Sequence, residues 1–286
     1  MGLKPDTGGT AGTTAAGRAA AAGEAGAPLP ARMLRHEVLL VLALSLGASA
    51  VSSLIDFAGV LTRPGGLGDS TATLNGSHAP DRPWLDLAWQ LFGIATALVP
   101  VALVAHLLLR ERPARGALAG PGLRALGFDA RRPAFDLGWG AALAAAMGGS
   151  GLLLYLGAHA AGASLTVVPE ALPDVWWKIP VLVASAVQNA VLEEVVVVGY
   201  LLRRLDQLGW HPHRALLASA LLRGSYHLYQ GLGGFFGNAA MGLIFGWCYR
   251  RWGRVMPLAV AHALIDTVAF VGYALLAGHV DWLPTA

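Results

Sequence analysis

Seven apolar runs, at about residues 37–62, 84–109, 136–160, 177–202, 212–229, 231–250 and 255–278, constrain this chain more than any other feature. Runs of roughly 18 or more apolar residues read as membrane-spanning helices, because about 20 helical residues cross a hydrocarbon core about 30 Å thick. Charged residues are 13% of the 286 and hydrophobic ones 55%, where ordinary globular chains carry about 25% charged residues. The expected fold class is therefore all-α: a polytopic integral membrane helical bundle of about seven transmembrane helices. The runs 212–229 and 231–250 are short and meet at QGLGG. They form either a tight hairpin or unevenly tilted spans.

Residues 1–33 are mostly Ala, Gly, Thr and Pro. They hold too little apolar surface to offset ordering entropy, so a disordered cytoplasmic tail is expected there, with residues 34–286 forming the transmembrane domain. The first apolar run begins after residue 36 and is too long for the apolar core of a signal peptide. The stretch 119–133 reads as an interfacial loop or short amphipathic segment. Arg110, Arg112, Arg115, Arg124, Arg131 and Arg132 follow the second run, Arg203, Arg204 and Arg214 the fourth, and Arg250, Arg251 and Arg254 the sixth. Seven spans put these three loops and the tail on one side, which the positive-inside rule makes cytoplasmic. The expectation is an integral plasma (cytoplasmic) membrane protein, N-terminus inside and C-terminus outside. The formal net charge of +3 then reports topology, and its partner is the lipid bilayer, not nucleic acid. Cys248 is the only cysteine, which excludes an intramolecular disulfide and a cysteine metal cluster; an inert buried thiol is expected.

Inside the fourth run stands VLEEVVVVGY, residues 191–200. A charged side chain near a helix centre costs on the order of 2.5–3.5 kcal/mol on insertion scales. Glu193 and Glu194 therefore need a partner, a proton or a wet cavity, and intramembrane ionisable groups are functional candidates. The fifth run offers Arg223 and His227, and the seventh His262 and Asp266, each pair at i, i+4 and so on one helix face. At 1.5 Å per residue Glu193 lies roughly 15 Å from its cytoplasmic helix end, His262 roughly 10 Å and His227 roughly 20 Å. The three can meet in a water-holding pocket.

In kind and order these residues resemble the CPBP intramembrane proteases, the family of CAAX prenyl endopeptidases and Abi-like bacteriocin-processing or immunity proteins. The family pattern is E-E-x-x-x-R with a following Gly, then F-x-x-x-H, then H-x-x-x-N/D. This chain supplies Glu193-Glu194 with Gly199, then His227, then His262 with Asp266, so the resemblance covers about residues 177–278. It implies a glutamate-type endopeptidase acting on a membrane-associated peptide or protein substrate. Glu193 would be the general base that activates water, His227 its partner in orienting or protonating, and His262 the oxyanion donor. Glu194 would support Glu193, and Asp266 would orient His262 as carboxylates orient catalytic imidazoles. Two positions depart: Val198 stands at the family arginine and Arg223 at the family phenylalanine. The hypothesis is that Arg223 supplies that cation to Glu194 from the neighbouring helix; the alternative is that it snorkels to the membrane face.

The resemblance brings no cofactor with it. A divalent metal such as zinc is the chemical variant, since His and Glu suit it, but the H-E-x-x-H signature is absent; HEVLL at 36–40 has Leu40 where the second His belongs. GGSG at 148–151 matches a rhomboid-like pattern that would make Ser150 a nucleophile, although small residues there suit close helix packing. GLGD at 66–69 falls in a loop. Asp56, Gln90 and Asn189 read as interhelical hydrogen bonders, Asn189 sharing the Glu193 face. Asn238 is a candidate supporting residue, and Gly242 and Gly246 mark a close-packed face. Two other function classes stand beside the protease. One is a catalytically silent scaffold or immunity factor; the other is a proton-coupled transporter, which the lack of repeated halves disfavours.

Overall fold

The computed structural model describes residues 29–64, 66–68, 70–111, 120–160, 165–280 and 283, with 158–160 by backbone alone. Most of the expected tail, Arg112, Arg115 and Asp69 thus lie outside the described residues. The first helix already begins at Ala31, inside the expected tail. In chain order the helices are α1 (Ala31–Ala43), α2 (Leu46–Leu61), α3 (Pro83–Ala97), α4 (Val99–Leu109), α5 (Pro133–Ala160), α6 (Lys178–Glu193), α7 (Leu201–Gln207), α8 (Pro212–Tyr226), α9 (Gly231–Trp252) and α10 (Met256–Leu276). Proline opens α3, α4, α8 and α10 within the first two positions, where its missing N–H costs nothing.

Among the described residues five stretches are long and apolar enough to cross a membrane: Pro83–Leu109, Pro133–Gly157, Lys178–Gln207, Leu228–Trp252 and Met256–Leu276. The α1–α2 pair, bent by 53°, makes a sixth if taken as one broken span. The expectation of seven is thereby reduced to five or six. The run at 212–229 becomes the 15-residue α8 and a 3-10 turn, Leu228–Gln230. Fifteen residues rise about 22 Å, short of the about 30 Å hydrocarbon core.

The fold is also not purely helical. β1 (Thr71–Gly76) and β2 (Thr166–Ala171) form a two-stranded parallel ribbon, with Thr71 opposite Thr166 and Gly76 opposite Ala171. The Asp86 carboxylate of α3 accepts from the Ser77 hydroxyl at 2.7 Å and the His78 amide at 2.9 Å, fixing the turn after β1. Gln90 donates to the Gly76 carbonyl at 2.9 Å, so it ties α3 to the ribbon rather than to another helix. Asp56, expected between helices, is exposed on α2.

Ribbon pairing brings together the segments that lead into α3 and α6 at one end of the bundle. Ion pairs gather the arginine-rich connections at the other. Arg204 of α7 bonds Glu37 of α1 at 2.7 Å and also Glu111 after α4, while Arg203 reaches Glu111 at 2.8 Å. Arg254, between α9 and α10, grips both oxygens of Asp136 at 2.9 and 2.6 Å and Asp129 at 3.1 Å. Within the expected 119–133 segment, Gly122–Leu126 form a 3-10 turn with Leu126 fully buried, and residue 119 lies outside the described residues. Its closing Gly127 has φ +67° and a backbone so close to Gly253 and Arg254 that any Cβ would collide.

Lys178–Gln207 is the central span, with 72% of the residues in an apolar 18-residue stretch buried, against 6% in the matching stretch of Pro133–Gly157. Within the central span, Glu194–Tyr200 is a π-helical turn between α6 and α7. Four consecutive β-branched valines weaken the α preference there. The Ser219 hydroxyl of α8 takes the Val197 carbonyl at 2.9 Å. Gly199 admits Leu126 and Val255 to 2.9 Å from where a Cβ would stand. Gly242 and Gly246 let α8 approach α9 closely, with Ala220 and Leu216 against them. Cys248 is buried in this packing.

Candidate functional site

Glu193 ends α6 and Glu194 opens the π turn. Such turns recur at functional sites because the extra residue re-aims the side chains around it. Here the two neighbours part company. Glu193 is 7% exposed and lines a cavity of about 1290 Å³, whereas Glu194 is fully buried and lies outside the cavity wall.

Behind the cavity, Arg223 of α8 lies 2.7 Å from Glu194 Oε1 and 3.3 Å from Glu193 Oε2 through Nη2. Its guanidinium is fully buried, 5.5 Å from the Phe245 ring centre. Gly242 makes room for it: a Cβ there would stand 3.2 Å from Arg223 Cδ. A carboxylate pair in low dielectric requires a compensating cation, and α8 delivers it across the helix interface, while Val198 packs fully buried among apolar neighbours.

His262 of α10 stands on the far side of Glu194, with Nδ1 2.8 Å from Glu194 Oε1 and 3.1 Å from Arg223 Nη2. The Glu194 carboxylate only accepts, so Nδ1 carries the proton and donates it to Glu194, Arg223 Nη2 donates to the same carboxylate oxygen rather than to the ring, and Nε2 is turned toward Asp266 Oδ2, 3.5 Å away. Asn189 of α6 donates to the same Asp266 oxygen at 3.4 Å.

His227 caps α8, with Nε2 3.5 Å from Glu193 Oε2. The Gln230 amide donates to its Nδ1 at 3.2 Å and to the Tyr229 hydroxyl at 2.9 Å. That bond leaves the ring proton on Nε2, on the side of Glu193. The Tyr226 hydroxyl donates to Glu193 Oε2 at 2.8 Å. Oε2 thus collects Tyr226, Arg223 and His227, and no bond from the described residues reaches Oε1.

The structure therefore brings Glu193, Glu194, Arg223, His227, His262 and Asp266 together. Asn238 is on the cavity wall, but its amide bonds its own helix at Gly234 O, 3.0 Å away. Ser150 also lines the cavity and donates to the Ala146 carbonyl of its own helix at 2.8 Å. Among the described residues no three His, Cys, Asp or Glu side chains converge as metal ligands, and the charge between the two glutamates is Arg223. Sequence reasoning missed Tyr226 and Gln230. Neither carries a charge, and the signal available was their flanking of His227 by one and three residues. It also passed over Glu37, which buttresses the π turn by accepting from Tyr200 at 2.8 Å.

Residues 175–268 match the family described as Type II CAAX prenyl endopeptidase Rce1-like. The matched segment contains every residue of the cluster, and the match bears out the resemblance to CPBP membrane proteases. No curated protein and no solved structure matches the chain.

Proposed function

We propose that this chain is an intramembrane glutamate-type endopeptidase, embedded in the plasma membrane with its arginine-rich loops and N-terminus inside. The observation that carries this reading is the asymmetry of Glu193. One carboxylate oxygen is held by Tyr226 and Arg223, and the other takes no bond from the described residues, on a side chain that lines the cavity.

In the proposed reaction Glu193 Oε1 takes a proton from water as the water oxygen bonds the scissile carbonyl carbon. The carbonyl π electrons move to oxygen, and the resulting oxyanion is met by the Nε2–H of protonated His262. The C–N bond then breaks, and the leaving nitrogen takes the proton held by Glu193. His227 Nε2–H donates to the water oxygen and so orients the water toward Oε1. Glu194 and Asp266 flank His262 and balance its positive charge, so the donor acts in a low-dielectric site where it is worth most. With His227 neutral, three carboxylates face one guanidinium and one imidazolium, and the net negative charge of the set is removed when Glu193 takes the proton of water. The gap of 3.5 Å between His227 and Glu193 is ordinary for a site without substrate, where catalytic bonds tighten only in the complex.

Mapping protein N-termini in native-host membranes carrying wild type, deletion or Glu193→Gln at matched expression tests this reading. New termini should appear with wild type alone. If Glu193→Gln restores all wild-type behaviour and no terminus depends on Glu193, the chain is instead a silent scaffold or immunity factor.

A further inference from the structure

The broken span α1–α2 lies outside the matched segment 175–268, yet it is fastened to the site. α1 ends at Ala43 and α2 starts at Leu46, bent from it by 53°. At the bend the Ser45 hydroxyl donates back to the Val41 carbonyl at 2.6 Å, and a Cβ on Gly47 would stand 2.7 Å from the Leu42 carbonyl oxygen. Glycine suits so close an approach of backbone. Past the bend, Leu46, Ala50 and Ser53 are the buried residues of α2, spaced as one helical face. Ser53 is 2% exposed, and its Oγ accepts the Tyr229 amide N–H at 2.6 Å. Neighbouring Ser52 instead donates to its own helix at the Ser49 carbonyl, 3.1 Å away.

Tyr229 is the middle residue of the 3-10 turn Leu228–Gln230, which follows His227 at the end of α8. N–H groups at the start of a helical turn have no partner within it, and lipid supplies none. Ser53 does. We infer that Ser53 is a positioning residue for His227. By holding the Tyr229 amide it fixes the turn from which Gln230 reaches His227 Nδ1 at 3.2 Å and the Tyr229 hydroxyl at 2.9 Å. The turn's own bond, from the Gln230 N–H to the His227 carbonyl at 3.0 Å, sets its curvature. It does not set where the turn stands relative to Glu193, which is on another helix. The broken span supplies that reference, because it is anchored on the glutamate side as well. Glu37 of α1 accepts from the Tyr200 hydroxyl at 2.8 Å and from Arg204 at 2.7 Å, just past the π turn that Glu194 opens. One arm of the span thus grips the glutamate helix and the other the histidine turn. The consequence for turnover rests on the proposed protease reading; the hold on the imidazole does not.

Full-length protein carrying 15N-histidine and purified in detergent tests this without a substrate. The ring nitrogens of His227, assigned by their loss in His227→Gln, should show the Nε2–H tautomer in wild type. Ser53→Ala should give a mixture of both tautomers, and Ser53→Thr, which keeps the hydroxyl acceptor, the wild-type signal. Ser53→Cys, close to serine in size but a weak acceptor, stands in for Ser53→Ala if that variant does not fold. In native-host membranes the Glu193-dependent termini should form about 10- to 100-fold more slowly with Ser53→Ala, since a misplacement of about 1 Å can cost about 10²-fold. Ser53→Thr should keep most of the rate. A ring signal or a cleavage rate that stays at the wild-type value in Ser53→Ala overturns the inference. Equal losses in Ser53→Ala and Ser53→Thr, with equally lowered unfolding midpoints, overturn it in favour of packing. A mixed tautomer in Ser53→Ala, with no Glu193-dependent termini even in wild type, removes the protease reading alone. Glu193-dependent cleavage that Ser53→Ala leaves untouched removes the role of Ser53 alone.

Discussion

Arg223 and Glu194 pair at 2.7 Å across two helices, with both side chains withdrawn from solvent. Removing one member of a buried pair leaves an uncompensated charge and costs about 3–5 kcal/mol. Arg223→Ala should therefore lower the thermal unfolding midpoint of the purified protein sharply, and Glu194→Arg should do the same. The double exchange Arg223→Glu with Glu194→Arg should recover much of the loss. A double variant no more stable than either single one would mean that the two side chains do not stabilise one another.

Tyr226 gives Glu193 its shortest hydrogen bond, 2.8 Å to Oε2. Hydrogen bonds to charged groups contribute about 1.5–3 kcal/mol, so Tyr226→Phe should destabilise by about that amount and slow turnover. Glu193→Gln keeps an acceptor for Tyr226 and should fold, yet lose about 10²- to 10⁴-fold in cleavage rate, the usual contribution of a general base. Retained cleavage by Glu193→Gln would remove that role.

Gln230 holds His227 by Nδ1 at 3.2 Å. Gln230→Leu should free the ring to adopt either tautomer and reduce kcat with little change in KM, while Gln230→Asn keeps the amide and should retain more activity. Equal loss in both, accompanied by a lowered unfolding midpoint, would point to packing rather than positioning.

Two glycines should respond oppositely. At Gly199 a Cβ would lie 2.9 Å from Leu126 and Val255, and at Gly138 nothing stands within 4 Å. Gly199→Ala should cost about 1–3 kcal/mol by overpacking, whereas Gly138→Ala should be neutral or stabilising by up to about 1 kcal/mol from helix propensity. Unfolding midpoints of the two variants decide it, and a tolerated Gly199→Ala would show that the π turn relaxes.

Acid should loosen the arginine end. Burial pushes the Asp129 carboxyl up, but the Arg131 amide and the Arg254 guanidinium outweigh it and hold the group below its usual range. The folded state then binds this proton more weakly than the unfolded chain. Its stabilisation is complete above the unfolded value of about 3.9 and is lost as pH falls through the lower, folded one. Unfolding midpoints measured from pH 7 down to pH 3 should fall less steeply near the acid end for Asp129→Asn, which starts lower at pH 7. Parallel curves for the two proteins would exclude Asp129 as a source of the acid sensitivity.

The sequence by itself determined the solvent, the helical content and the order of the chemistry. Long apolar runs read as helices because lipid supplies no partners for open backbone. A glutamate pair within such a run, and histidines at helical spacing from Arg223 and Asp266, stood out because charge is costly there. The tertiary structure decided what surrounds the second glutamate, because the π turn Glu194–Tyr200 begins where the 3.6-residue period that puts Glu193 on the Asn189 face stops. It also decided that Arg223 reaches Glu194 rather than the membrane face. That outcome depends on the close approach of α8 and α9 at Ala220 and Gly242. The ribbon joins segments about 95 residues apart in sequence, and Glu37 meets Arg204 across an even longer separation. Such pairings are set by how the helices pack laterally, for which local apolar periodicity carries no signal, since lipid-facing and helix-facing positions are equally apolar.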